Sequence, residues 1–148
     1  MNKQECWMTC KVVLEQKLQD ILHSLAEIQE SANAETKSSA GDKHETARAM
    51  AQNEIELASV QLENTRQMLR DLERIDPAQS KPIIGSGSLV KTDTAVYFIG
   101  AAIGKLNSSG SLVYAISPQS PIAREMLGKR AGDHFQFNGK EIAIRAVD

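Results

Sequence analysis

Aliphatic residues in the first half of the chain recur at alternating steps of four and three. The first series consists of five branched aliphatic residues with mostly polar residues between them: Leu14, Leu18, Ile21, Leu25 and Ile28. This is the a/d spacing of a coiled-coil seam, and it predicts a helix from about Lys3 to about Glu30. A second series has the same spacing: Ala51, Ile55, Ala58, Leu62, Thr65, Leu69 and Leu72.

The second series predicts another long helix. We expect it to begin near Asp42 or Lys43 and to end by Asp76, because Pro77 disfavours helical geometry at the residue before it. Small polar residues precede this helix, and the chain reversal is expected at Ser38-Ser39-Ala40-Gly41. Two long helices joined by a short polar turn fold back as an antiparallel coiled-coil hairpin. A helix of about 30 residues makes a rod of roughly 45 Å.

The pattern changes after residue 76. Two prolines and small polar residues at 77–82 interrupt the helical period and predict a linker. Asn107-Ser108-Ser109-Gly110 predicts a turn. The remaining short apolar or alternating runs predict strands, at 83–84, 89–90, 95–99, 112–116, 134–137 and 141–147. Of the connections between them, Asn138-Gly139 is a strong hairpin signal, whereas Gly85-Ser86-Gly87 is expected to be a turn or bulge.

One short helix interrupts the strands. Ser120 is a favourable N-cap, Pro121 suits the first helical position, and Gly128 suits the stop after Leu127. One helix on an antiparallel sheet is the expected packing for a segment of this size. The predicted fold class is therefore α+β, with a helical hairpin at 1–76, the linker at 77–82 and a small antiparallel β domain at 83–148.

Composition narrows the classes of function. The chain has 148 residues, of which 4% are aromatic, so an aromatic-lined pocket or a base-stacking platform is not expected as its main surface. Residues 1–76 contain 9 Lys and Arg against 14 Asp and Glu, whereas residues 77–148 contain 8 against 5. An acidic half and a basic half indicate two surfaces with different roles.

Location and cysteine chemistry follow from further simple patterns. No run of about 18 apolar residues and no secretory signal is visible, so neither a membrane span nor secretion is expected, and the cytoplasm is the expected location.

Cys6 and Cys10 lie four residues apart on the first helix. We interpret them as two reduced thiols, because a structural zinc ion would need two more ligands that no nearby Cys or His pair supplies.

Two acids stand at the hairpin turn. Asp42 and Glu45 are three residues apart at the start of the second helix, so both carboxylates project from one side of its first turn. One interpretation is structural, because acidic residues stabilise helix N-termini and Asp is a preferred cap. The other is a magnesium site, which would need further ligands from a partner. His44, between them, is interpreted as a solvated turn residue.

Two segments resemble a known family. Residues 40–47, Ala-Gly-Asp-Lys-His-Glu-Thr-Ala, resemble the G-D-x-x-E-N-A tip of Gre-type transcript cleavage factors. Residues 117–129, Ser-Pro-Gln-Ser-Pro-Ile-Ala-Arg-Glu-Met-Leu-Gly-Lys, resemble the SPIARxLIGK segment of their C-terminal domain, and Gly132-Asp133 follows as in the family. The order of parts also agrees over nearly the whole chain. The resemblance implies that the β domain is FKBP-like.

The resemblance implies a role in transcription elongation. Such factors dock their C-terminal domain on bacterial RNA polymerase and pass the hairpin through its secondary channel. There, the tip acids, here Asp42 and Glu45, help hold a second Mg²⁺ ion that promotes hydrolysis of backtracked RNA near its 3′ end. The factor itself is then not an enzyme and binds no metal alone, and a monomer is expected. The residues implied in docking are Ser120, Pro121, Ile122, Ala123, Arg124 and Lys129.

The tip departs from the family pattern at three positions. Thr46 replaces an Asn, Arg48 replaces an acid and Ala49 replaces an aromatic residue. These changes affect groups that would position the RNA or the attacking water, and they leave two alternatives open. One is a regulator or inhibitor that enters the polymerase channel without promoting cleavage. The other is a coiled-coil adapter whose tip acids are only helix caps.

Overall fold

The chain forms two compact units. A computed structural model describes residues 1–38, 42–108 and 110–148, and the side chains of residues 1–34, 45–107 and 110–148. One unit contains residues 1–13 together with 68–148, and the other contains residues 14–67. No helix in these described ranges is long and apolar enough to cross a membrane. The predicted domain limits at 76/77 and 82/83 remain predictions.

Two long helices form the predicted hairpin. Helix α1 spans Lys3–Ser38 and α2 spans Asp42–Glu73. Helix α1 ends eight residues beyond the predicted end at Glu30. The segment of residues 31–38, which contains Ser and Ala, is therefore helical and not part of the turn. Of the predicted reversal at residues 38–41, Ser38 belongs to α1, and residues 39–41 lie outside the described residues. Near the other ends of the two helices, Trp7 Nε1 donates a hydrogen bond of 2.8 Å to the Leu72 carbonyl oxygen.

Burial follows both predicted seams. All twelve seam residues are buried or half-buried: Leu14, Leu18, Ile21, Leu25, Ile28, Ala51, Ile55, Ala58, Leu62, Thr65, Leu69 and Leu72. Thr65 satisfies its hydroxyl within α2, because Oγ1 donates to the Gln61 carbonyl oxygen at 2.8 Å. The aliphatic spacing therefore identified the packed face of each helix correctly.

A six-stranded sheet and one short helix follow the hairpin. The elements are β1 (Leu89–Thr92), β2 (Val96–Ile99), β3 (Gly104–Ser108), β4 (Ser111–Ile116), α3 (Pro121–Met126), β5 (His134–Phe137) and β6 (Lys140–Val147). The strand order is β3-β4-β2-β1-β6-β5. The fold class is α+β, as predicted.

The sheet is mixed, so the prediction of an antiparallel sheet was wrong for one strand pair. Strands β2 and β4 run parallel, with Tyr97 opposite Tyr114 and Ile99 opposite Ile116. The chain leaves β2, forms β3 at the edge of the sheet, and returns as β4 between β3 and β2. An intervening hairpin strand makes β4 run in the same direction as β2. The two paired tyrosine rings lie 5.9 Å apart.

Strand β3 was missed from the sequence, and Asn107 and Ser108 belong to it rather than to the predicted turn. The strand lies at the edge of the sheet and buries one side chain, Leu106, opposite Val113. An edge strand with a single buried residue has no apolar run to mark it. The predicted strand at 83–84 is not formed, but Ile84 exchanges backbone hydrogen bonds with Lys129 and Gly128 at 2.9 Å.

The β5–β6 connection confirms the predicted hairpin. Phe137 pairs with Lys140 across the turn. Asn138 and Gly139 have φ values of 53° and 76°. Two successive positive φ angles are the geometry that an Asn-Gly pair adopts in a two-residue hairpin loop.

The main core cluster includes α3 and four strands. Its buried members are Ile84, Val90, Ile99, Met126, Phe135, Ile142 and Ile144. Cys6 and Cys10 are buried in the same compact unit as free thiols. Burial raises the pKa of Cys6 and raises the pKa of Cys10 to about 12. Neutral buried thiols pack as small apolar groups.

Candidate functional site

The tip acids lie in the first turn of α2. Asp42 is the first residue of the helix, and Glu45 follows three residues later. Helical geometry places residues three apart as neighbours on one side of the helix. The Glu45 side chain is exposed, whereas the Asp42 side chain lies outside the described residues. The structure therefore places the backbone of both residues in one helical turn.

The chemistry of this pair suits partial coordination of a hard cation. Carboxylate oxygens are ligands that Mg²⁺ prefers, but the ion requires about six ligands and keeps several waters. In the part of the chain that the structure describes, no group of three or more His, Cys, Asp or Glu residues could hold a metal ion. Two carboxylates can supply only part of such a coordination shell.

The three residues that depart from the family pattern come directly after Glu45 on α2. Thr46, Arg48 and Ala49 are all exposed on α2. Arg48 is three residues from Glu45, so the helix places a guanidinium beside the second acid. An acid at this position would add negative charge to the site, whereas Arg48 reduces it.

The second predicted segment surrounds α3. Ser120 is the N-cap: its Oγ accepts a hydrogen bond from the Ala123 amide at 3.4 Å and donates to the Ser117 carbonyl oxygen at 2.8 Å. Pro121 occupies the first turn, where its missing N–H costs nothing. These residues determine where α3 starts.

The six predicted docking residues differ in accessibility. Pro121 and Arg124 are exposed, Ser120 and Lys129 are half-buried, and Ile122 packs against the core cluster. Ala123 has no exposed surface. Direct contact with a partner is therefore available mainly to Pro121 and Arg124, while Ser120, Ile122 and Ala123 hold α3 in position.

A cleft that the sequence did not predict lies within the unit of residues 1–13 and 68–148. Its volume is about 610 Å³, and Lys3, Arg74 and Lys81 contribute the positive charges in its lining. Lys3 is far from the other two residues in sequence, and no motif connects them. The only available signal was a lysine in the first turn of a helix, which is too common to be informative.

Comparisons with known proteins give little further guidance. No protein-family model matches the chain, and no curated protein matches it. The chain is similar to the solved structure of the transcription factor Gfh1, with 19% sequence identity and a TM-score of 0.37 over 93% of this chain and 92% of that chain. At this identity and TM-score, the likeness carries neither a function nor a partner over to this chain.

Proposed function

We propose that this protein is a transcription elongation factor that binds bacterial RNA polymerase and stimulates hydrolytic cleavage of backtracked RNA. The main support is the position of Asp42 and Glu45 in the first turn of a long hairpin helix, within the segment that resembles the tip of Gre-type factors. Helix α2 has 32 residues and α1 has 36, which correspond to about 48 Å and 54 Å. Helices of this length suit a device that reaches through a channel into another protein.

The role of the chain is to bring two carboxylates to the reacting RNA. Asp42 and Glu45 would provide oxygen ligands for a Mg²⁺ ion shared with the polymerase and, through it, would act near the RNA 3′ end. When bound, such an ion supplies charge stabilisation to the attacking and leaving oxygens. The helix backbone orients the two side chains, and the exposed Glu45 carboxylate is accessible to a partner. In this proposal the polymerase supplies the remaining ligands, and cleavage occurs only in the complex.

We assign docking on the polymerase to the exposed part of the α3 segment. Pro121 and Arg124 are exposed and lie three residues apart on α3, and Lys129 is half-buried. Ser120, Ile122 and Ala123 contribute indirectly because they cap α3 and anchor it to the core. Loss of the Arg124 charge would therefore weaken docking without unfolding the domain.

The decisive experiment uses purified bacterial RNA polymerase stalled in a backtracked complex with 3′-labelled RNA. The wild-type protein should release a short 3′ fragment. Asp42→Ala and Glu45→Ala should each lower the cleavage rate by about 100-fold, because removal of a ligand weakens the shared ion. Binding of these variants to the polymerase should remain within about twofold of wild type.

Glu54→Ala is the matched control, because it removes an exposed carboxylate from the same helix outside the first turn. It should leave cleavage unchanged. An equal loss of cleavage in this variant would show that the overall negative charge of the helix matters rather than the tip acids.

Wild-type binding without cleavage would support the regulator alternative, which Thr46 and Arg48 at the tip favour. In that case, restoring the family residues with Thr46→Asn and Arg48→Glu should introduce cleavage. Absence of binding would contradict both polymerase functions and leave the adapter.

A further inference from the structure

Lys3 is the single charged residue that the described part of the chain buries. It is 4% exposed, and its Nζ donates a hydrogen bond to the Gln79 carbonyl oxygen. Among the described residues, no carboxylate lies within ion-pair distance of this ammonium. Buried charges are normally paired, because a lone charge loses its hydration without compensation. An anion is therefore the expected neighbour of Lys3.

Lys3 lines the cleft of about 610 Å³ described above. This volume lies within the range of about 300–1,000 Å³ that is typical of small-molecule sites. All the lining residues belong to one compact unit, residues 1–13 with 68–148. The buried Lys3 thus borders a space large enough for a ligand.

The charges around the cleft favour an anion. Arg74 and Lys81 are exposed and also line it. Two carboxylates are also present, so the lining carries an excess of one positive charge: Asp71 lies 3.8 Å from Arg74 and offsets its charge, and Asp76 Oδ1 accepts a hydrogen bond from the Ala78 amide at 3.0 Å. Lys3 also belongs to the first turn of α1, where the helix dipole adds positive potential.

The walls indicate how a ligand would be recognised. Small residues contribute to the lining, among them Gly87, Ser88 and Gly100. The hydroxyl groups of Ser86 and Ser117 belong to residues of the lining, whereas none of its described members is aromatic. Recognition would therefore depend on charge and hydrogen bonding rather than on ring stacking.

We propose that this cleft binds a small molecule through an anionic group, phosphate or carboxylate, which pairs with Lys3. The site is independent of the proposed action of Asp42 and Glu45. Lys81 adds a further cation to the same lining, and the ligand supplies the counter-ion that the described residues do not provide for Lys3.

The test is a titration of the ¹⁵N-labelled full chain with inorganic phosphate, pyrophosphate and citrate at constant ionic strength, followed by amide chemical shifts. Saturable shifts should be concentrated at cleft residues such as Ser86, Ala102 and Gln119. Tighter binding of pyrophosphate would assign the phosphate class, and tighter binding of citrate would assign the carboxylate class. Lys3→Met retains most of the aliphatic stem and should weaken binding about tenfold, as expected for loss of a charged hydrogen bond.

Lys140→Met is the matched control, because it removes an exposed lysine outside the cleft. It should leave the affinity within about twofold of wild type. If Lys3→Met lacks a native spectrum, Lys81→Gln decides, with an expected loss of about threefold. The proposal is overturned if no probe gives saturable shifts, if the shifts lie outside the cleft, or if the charge-removing variants bind as tightly as the control.

Discussion

The hairpin of residues 14–67 and the unit of residues 1–13 with 68–148 bury their side chains to very different extents. Among the described side chains of the hairpin, three are buried: Leu14, Ile21 and Thr65. The other unit contains the remaining buried residues, including the fully buried Phe98, Ile99 and Met126. The hairpin packs one face of each helix along the seam, whereas the other unit encloses its buried side chains in a core.

Because of this difference, stability depends mainly on one unit, whereas the proposed functional acids lie in the other. Two packed helices can cover only one face of each other, so most positions remain at the surface. Aliphatic residues outside the seam stay exposed, such as Met50 at 61% and Leu57 at 68%. A sheet with a helix on it encloses side chains between layers. The hairpin can therefore change its surface at little cost in stability, which suits the element proposed to carry the functional acids.

The largest expected effect on stability is in the sheet. Phe98→Ala removes a fully buried ring from β2 and should lower the free energy of unfolding by about 3–5 kcal/mol. Urea denaturation followed by Trp7 fluorescence would measure it, because Trp7 belongs to the same unit. Leu112→Ala, at a position 42% exposed in β4, should change it by less than about 1 kcal/mol. Equal effects would contradict the assignment of the core.

A smaller effect is expected where backbone and side chain approach closely. Gly87 has φ of +91°, and an added Cβ would lie 2.8 Å from Ile75 Cγ2. Gly87→Ala should cost about 1–3 kcal/mol in denaturant unfolding, from backbone strain together with the clash. Gly104→Ala is the control, because Gly104 has φ of +93° but no heavy atom within 4 Å of the added Cβ. The clash explanation fails if both variants lose the same stability.

The hairpin seam should be less sensitive than the core. Leu25→Ala removes a half-buried seam residue and should cost about 1–2 kcal/mol. Leu57→Ala makes the same chemical change at a position 68% exposed and should stay within about 0.5 kcal/mol of wild type. Thermal unfolding monitored by helical circular dichroism gives both values. A greater loss at Leu57 would reverse the assignment of the packed face.

A further effect is a dependence on pH in the unit of residues 1–13 with 68–148. Burial raises the pKa of Cys10 from 9.0 to about 12, so the folded state retains a proton that the unfolded state loses. This contribution to stability is fully present below pH 9.0 and disappears as the pH rises towards 12. Urea midpoints between pH 8 and pH 11 should fall less steeply for Cys10→Ala than for wild type. Burial also raises the pKa of Tyr97. Tyr97 therefore contributes to the dependence of stability on pH that the Cys10→Ala variant retains. An unchanged slope would show that Cys10 ionises as freely in the folded state as in the unfolded state.

Much of the local structure was predictable because its causes are close together in sequence. The heptad spacing identified both packed helix faces, Ser120 and Pro121 marked the start of α3, and Asn138-Gly139 marked the β5–β6 hairpin. The place of Asp42 and Glu45 in one helical turn was predictable for the same reason, because residues three apart on a helix are neighbours. Their role in binding a metal ion remains a prediction. Edge strand β3 was missed because it buries only one residue.

The elements with a regular hydrophobic period and the turns with a required backbone geometry follow from the amino-acid sequence alone. The tertiary structure shows which distant segments meet. It paired β2 with β4 in parallel, and it buried the Lys3 ammonium against the carbonyl of Gln79, 76 residues away. Local patterns arise from steric and hydrogen-bonding preferences over a few residues, whereas these contacts depend on how whole elements pack. The cleft beside Lys3 exists only after that packing has brought its walls together.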